Sequence, residues 1–181
     1  MMDLLREAAD VSVRPAVPGD EDAIARIQVS AWRAAHGAAL GDALDLLDLD
    51  AVRTQWAAAV SAPPSGHRVL VACDGPTVVG FAAFATIDDE PPGGVVLALE
   101  VQPVQQRAGH GSRLLAACVD LLREQGADQV QTWVLDGDTA REEFLGGAGL
   151  GPDGTTRTLA SGTQPDGTER VVTEHRWWAS I

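Results

Sequence analysis

The stretch LALEVQPVQQRAGHGSRLL, residues 97–115, decides the fold of this 181-residue chain. An apolar strand ends at Pro103, a short loop passes through Gly109 and Gly111, and an amphipathic helix follows directly. Such a turn exposes backbone N–H groups beside a helix N-terminus, where the unpaired donors and the helix dipole both favour a bound phosphate. Glycines let the backbone approach that phosphate, and Arg107 can add a charge-assisted contact. The stretch therefore predicts a phosphate-binding loop.

Three kinds of phosphate-binding loop have glycines at similar spacing. A P-loop needs Gly-Lys-Ser/Thr, and the chain contains no lysine. A dinucleotide-binding loop needs G-x-G-x-x-G at the start of a βαβ unit, but Leu114 occupies the third glycine position. The pattern Gln/Arg-x-x-Gly-x-Gly/Ala remains, and Gln106, Gly109 and Gly111 satisfy it. These six residues alone leave open a glycine-rich connection without a ligand, whereas their position after the fourth predicted strand favours the binding loop.

Hydrophobic periodicity and turn signals predict the elements on either side of this loop. The predicted strands cover residues 11–17, 68–73, 77–86, 95–101 and 129–135, and two stretches after residue 155 around a turn at 164–167. Four helices are predicted. The first begins after an N-cap at Asp20, and the other three cover residues 43–60, 111–125 and 139–146. The acidic run 42–50 lacks the glycine and glutamate of a calcium loop and is predicted to cap helices. Strand, helix and strand over 95–135 imply a parallel crossover.

The element order predicts an α+β fold. We expect one mixed, mostly antiparallel sheet of about seven strands flanked by about four helices. Residues 1–181 are predicted to form a single domain, with 1–10 a flexible N-terminus that lacks the features of a signal peptide. No apolar run approaches the roughly 20 residues that span a bilayer. The sequence therefore predicts a cytoplasmic protein without a membrane partner.

Charge and composition narrow the classes of ligand. The formal net charge is −13, which argues against a nucleic-acid or anionic-membrane partner because phosphate binding needs a basic surface. It is compatible with a cationic substrate, although an acidic surface by itself confers solubility. Cys73 and Cys118 form no C-x-x-C motif, and the four histidines are scattered. We therefore predict no disulfide framework and no metal.

With strand, loop and helix in this order, the sequence resembles the GCN5-related N-acetyltransferase (GNAT) family over residues 11–178. Two further stretches, 29–36 with Trp56 and 132–138 with 144–154, resemble a subgroup common in GC-rich bacteria. The resemblance implies acetyl-CoA as co-substrate. It implies that the backbone around Leu99 and Val101 pairs with the pantetheine arm. It also implies that the loop and the helix start hold the pyrophosphate, through Gln106, Arg107, Ala108, Gly109, His110, Gly111 and Ser112.

Two positions depart from what the resemblance implies. The family often has Asn, contacting the cofactor, where this chain has Asp138. An ionised Asp138 can accept a hydrogen bond there but cannot donate one. The family often has a Tyr general acid where this chain has Leu145, and the chain contains no tyrosine. The resemblance therefore implies a cofactor role for Asp138 and no side-chain acid at position 145.

The candidate general base is Glu100, which lies in the strand beside the expected thioester. The alternative for Glu100 is a solvated strand residue, and His36 and Glu142 are weaker candidates for the base. Two function classes follow. One is an acetyl-CoA-dependent N-acetyltransferase that acts by direct attack of a primary amine, from a small molecule or a peptide. The other is a non-catalytic acyl-CoA-binding regulatory module.

The consecutive tryptophans 177 and 178 lie in the last predicted strand. Because side chains alternate along a strand, one of the two should face the core and the other the opposite side. The outward tryptophan is a candidate for a pocket lid or a homodimer surface.

Overall fold

A computed structural model describes residues 11–88, 90–163 and 166–181 of the chain. The strands are β1 Val11–Pro15, β2 His67–Asp74, β3 Thr77–Ile87, β4 Gly93–Val101, β5 Gln129–Leu135, β6 Gly151–Thr163 and β7 Glu169–Ser180. The α-helices are α1 Glu21–Leu40, α2 Leu49–Ser61, α3 His110–Glu124 and α4 Thr139–Gly147. Short 3₁₀ turns cover Gly41–Leu44 and Pro103–Gln105.

The strands form one sheet in the order β1-β2-β3-β4-β5-β7-β6. Among the strands of the described residues, only β4 and β5 pair in parallel, and every other neighbouring pair is antiparallel. Helix α3 provides the crossover between β4 and β5, as the strand-helix-strand order predicted. The predicted α+β fold is therefore confirmed. Within the described residues, no helix combines the length and apolar character needed to cross a bilayer.

Two apolar clusters hold the helices to the sheet. The larger one includes Leu114, Cys118 and Leu122 of α3 together with sheet residues such as Val130 and Val134. These α3 residues recur at helical spacing and form one stripe, which faces the sheet. The smaller cluster joins Ile24 and Ile27 of α1 to residues of β2 and β3. The two clusters stabilise the strands from which the site residues project.

Strands β4 and β5 pair over only part of their length. Residues 93–96 pair with residues 129–132, and the ladder then stops. Strand β5 pairs with β7 over its full length, whereas residues 98–101 of β4 have only β3 as a strand partner and Leu97 lies at a register shift. We call this second side of residues 97–101 the open edge of β4. It leads directly to the loop before α3.

Local contacts shift the start of one predicted helix and change the role of the residue predicted to cap another. The helix predicted over 43–60 begins at Leu49, because the Asp48 carboxylate accepts hydrogen bonds from the backbone N–H groups of Asp50 and Ala51. Asp20 does precede α1, but its side chain makes no cap hydrogen bond to that helix. Its carboxylate instead binds the Arg14 guanidinium at 2.7 and 3.0 Å and the Val17 N–H. A charged donor outside the helix is a stronger partner than a helix N–H.

Several predictions fall partly or wholly outside the described residues. The flexible N-terminus predicted for residues 1–10 lies outside them, as do residues 164 and 165 of the predicted turn between β6 and β7.

The prediction that the two consecutive tryptophans face opposite sides of the last strand is confirmed. Trp177 belongs to the larger cluster, and Trp178 is 40% exposed.

Candidate active site

The loop before α3 presents consecutive backbone donors. Arg107 and Gly109 both adopt positive φ angles, 64° and 83°, and α3 begins at the next residue, His110. Within the described part of the chain, the backbone amides of residues 107–112 have no hydrogen-bond acceptor. Successive unpaired N–H groups around left-handed residues make an anion-binding concavity. A helix N-terminus adds its dipole in the same direction.

Some side chains of this segment stabilise the loop, and others are exposed beside it. The Gln106 Nε2 atom donates to the Val101 carbonyl at 3.3 Å, and Arg113 Nη1 donates to the Ala108 carbonyl at 3.2 Å. The His110 ring is buried, and its Nδ1 has no partner among the described residues. By contrast, Arg107 and Ser112 are exposed. The loop therefore offers a phosphate its backbone amides and the side chains of these two exposed residues.

The open edge of β4 carries carbonyl groups towards the same side as the loop. Successive carbonyls along a strand point to opposite edges, so those of Leu99 and Val101 share one direction. Gln102 N–H bonds to Val79 of β3, which places the carbonyls of Leu99 and Val101 on the other side, at the open edge. Leu99 and Val101 side chains are buried in the larger cluster. An extended chain that carries amide groups can run along this edge from the loop.

Glu100 lies between these two residues, and its side chain is only 12% exposed. Arg141 Nη2 lies 3.0 and 3.1 Å from its two carboxylate oxygens, and Trp32 Nε1 donates to Oε1 at 3.2 Å. Burial raises the pKa of the Glu100 carboxyl above its ordinary value, while the charge of Arg141 and the hydrogen bond from Trp32 act in the opposite direction. A solvated strand residue, the alternative considered for Glu100, is therefore excluded by its burial.

Arg141 connects this carboxylate to the strand edge and to the start of α4. Its Nη1 donates to the Leu99 carbonyl at 2.6 Å. Its backbone N–H donates to the Asp138 carboxylate at 3.1 Å, so Asp138 caps α4. The second Asp138 oxygen lies 3.8 Å from His36 Nε2. Arg141 thus connects Glu100, through its guanidinium, to Asp138, through its backbone N–H, and His36 lies beside Asp138.

The remaining candidates lie apart from this group. Leu145 is buried in the larger cluster, 3% exposed, so the side chain at this position is part of the core. Within the described residues, Glu142 makes no salt bridge and contributes no hydrogen bond to the group around Arg141. The prediction that position 145 supplies no acid therefore agrees with its packing as well as its chemistry.

Sequence reasoning missed Arg141 and Trp32. Trp32 lies four residues before His36 on α1, and this spacing places both on one helix face. That spacing could have indicated Trp32. Arg141 is 41 residues from Glu100 in the chain, and no local pattern connects them.

Residues 23–149 match the model of the Acetyltransferase (GNAT) family, and the chain belongs to that family. The chain is 31% identical over 130 residues to the uncharacterized N-acetyltransferase YuaI of Bacillus subtilis (strain 168), a match that covers 70% of this chain and 72% of YuaI. The family predicted from the loop pattern is thereby confirmed.

Solved structures show the same fold. The paiA N-acetyltransferase from Thermoplasma acidophilum, in complex with coenzyme A, has a TM-score of 0.70 at 13% identity, covering 94% of this chain and 99% of that one. The Salmonella typhimurium protein yncA, with its cofactor acetyl-CoA, has a TM-score of 0.63 at 19% identity and covers 94% of each chain. The unpaired amides of residues 107–112 fit the pyrophosphate of such a cofactor.

Proposed function

We propose that this protein transfers the acetyl group of acetyl-CoA to a primary amine of a small molecule or peptide by direct attack, with Glu100 as general base. The observation that carries the proposal is the position of the Glu100 carboxylate. It is largely buried and belongs to the part of β4 that has the open edge, which leads directly to the loop with the unpaired amides. The loop backbone of residues 107–112 would hold the pyrophosphate, and the edge at Leu99 and Val101 would hold the arm. Acetyl-CoA supplies the acetyl thioester.

The amine must lose a proton before it can attack. An alkylamine with a pKa near the lysine value of about 10.4 is almost wholly protonated at neutral pH. A carboxylate takes that proton best when its own pKa lies close to the working pH. Burial moves the pKa of Glu100 in that direction. Glu100 is therefore better suited to the task than an exposed carboxylate would be.

The departing thiol presents a smaller proton problem. A thiol has a pKa of about 8.5, so it can leave as the thiolate without a strong acid. Position 145 supplies no acid, because Leu145 is an apolar residue packed in the core. Protonation by water, with stabilisation from the N-terminal dipole of α3, is sufficient. Acetyl transfer can therefore proceed without a tyrosine acid.

Partner and location are part of the same proposal. A net charge of −13 with no lysine disfavours nucleic acid and suits a cationic amine. We expect a cytoplasmic enzyme that needs no metal. Because Trp178 is exposed and could form part of a dimer surface, a homodimer remains a prediction.

Two measurements test the proposal. Thiol release from acetyl-CoA over a panel of small amines and peptide N-termini should identify an acceptor. Coenzyme A binding should be lost in Gly111→Glu, which adds a negative charge to the helix start that would hold the pyrophosphate, and retained in the matched control Gly111→Ala. A Cβ at Gly111 would lie 3.5 Å from Phe144 and 3.8 Å from Leu99, an ordinary contact.

The outcomes separate the two function classes. Equal binding by both Gly111 variants would refute the assigned loop. Tight coenzyme A binding without thiol release over the panel would favour the non-catalytic acyl-CoA-binding module, to which the absence of an acid at Leu145 also points.

A further inference from the structure

Arg141 bonds two groups with different roles. Its Nη1 atom lies 2.6 Å from the Leu99 carbonyl on the open edge of β4, and its Nη2 atom lies within 3.1 Å of both Glu100 oxygens. The side chain is 22% exposed and belongs to the first turn of α4. One guanidinium therefore links the edge where an acyl carrier would lie to the carboxylate that would take the proton.

The pantetheine arm of coenzyme A and the Arg141 guanidinium would compete for the same space beside β4. A chain that hydrogen-bonds to a strand edge lies about 4.8 Å from that strand. A nitrogen at 2.6 Å from the Leu99 carbonyl is inside that interval, so an arm paired with the edge displaces Nη1. Because the guanidinium is rigid and planar, displacement of Nη1 also draws Nη2 away from Glu100.

We propose that Arg141 is a positioning residue that couples occupation of the β4 edge by the acyl carrier to proton uptake at Glu100. The inference rests on the proposed function in one respect, that coenzyme A binds along this edge. When Arg141 moves away, Glu100 loses its opposite charge and binds a proton more readily. Carrier binding thus brings the proton affinity of Glu100 closer to the working pH, where its ionised form can take the ammonium proton before the amine attacks the thioester.

Other charged groups near Glu100 need to be separated from this effect. His36 of α1 and Asp138 at the start of α4 belong to the same group, and β3 places the apolar Phe81 opposite Glu100. His36 can also change its charge near neutral pH. The variant Glu100→Gln removes only this carboxylate. The protons that it takes up on binding therefore measure the contribution of all other groups.

The test is calorimetric binding of desulfo-coenzyme A, which lacks the titrating thiol, near neutral pH in buffers with different heats of ionisation. Wild type should take up more protons than Glu100→Gln, by a fraction of one proton, because a base with a pKa near the working pH stays partly ionised. Its dissociation constant should rise with pH by at most about tenfold per unit, because protonation favours binding. The exposed-residue control Arg123→Gln should match wild type.

Arg141→Gln should lose the extra proton uptake, because its Glu100 has no guanidinium to lose on binding. Arg141→Lys keeps the charge but not the two-armed contact, and should show reduced uptake. Equal uptake in wild type and Glu100→Gln, or full uptake in both Arg141 variants, would overturn the coupling while leaving the proposed function intact. Absence of binding in wild type would overturn the proposed acetyl-CoA site and the coupling together.

Discussion

Replacement of Glu100 by Gln tests the proposed base with little change in shape. The Gln oxygen can still accept from Trp32 Nε1, which lies 3.2 Å from Glu100 Oε1 in wild type. The two contacts with Arg141 Nη2, at 3.0 and 3.1 Å, lose their negative charge. The variant therefore removes the proton acceptor and keeps the side-chain volume.

We expect the turnover rate to fall by about 10²–10⁴-fold at neutral pH, the usual contribution of a general base. This range corresponds to about 3–5 kcal/mol in the activation free energy. The variant's rate should then rise about tenfold per pH unit towards the amine pKa of about 10.4, because the free amine no longer has to be generated by the enzyme. Coenzyme A should bind the variant at least as tightly as wild type.

The assay is thiol release from acetyl-CoA with an amine that wild type acetylates, measured across a pH series. Glu143→Gln is the matched control, because Glu143 is exposed on α4 and the charge change is the same. Wild-type turnover by Glu100→Gln at every pH would show that Glu100 is a bystander. The base would then have to be His36, Glu142 or a chain of water molecules.

Three further predictions concern the framework of the site. Gly94→Ala should destabilise the fold by about 1–3 kcal/mol in denaturant unfolding, because its Cβ would lie 2.3 Å from Leu122 Cδ2; Gly151→Ala, with open space around its Cβ, is the control, and equal stability of the two variants would contradict the packing argument. Asp48→Ala should cost about 0.5–2 kcal/mol of unfolding free energy by removing the cap of α2, and an unchanged denaturation midpoint would show that the cap contributes nothing. The hydrogen bond from Arg14 lowers the pKa of Asp20, so Asp20→Asn should be less stable than wild type above about pH 5, with the difference disappearing as the pH falls through the lowered value; a difference that persists in acid would refute this assignment.

Features that depend on neighbouring residues could be predicted from the sequence. The glycines at 109 and 111, followed by an apolar stripe at helical spacing, specify a strand-loop-helix unit with unpaired amides. The starts of α1 and α2 show the limit of this reasoning. Asp48 caps a helix, whereas Asp20 binds Arg14, because an acidic residue takes the strongest donor that the fold brings near it.

The sequence by itself thus determined the sheet, the crossover and the loop, because short-range patterns of apolar residues and glycines control them. Only the tertiary structure decided the surroundings of Glu100. Trp32 is 68 residues away in the chain and Arg141 is 41, and they meet Glu100 because β4 parts from β5 beyond residue 96 and α1 and α4 pack nearby. The burial and charge that set the proton affinity of a carboxylate depend on such long-range contacts, which no local pattern in the chain encodes.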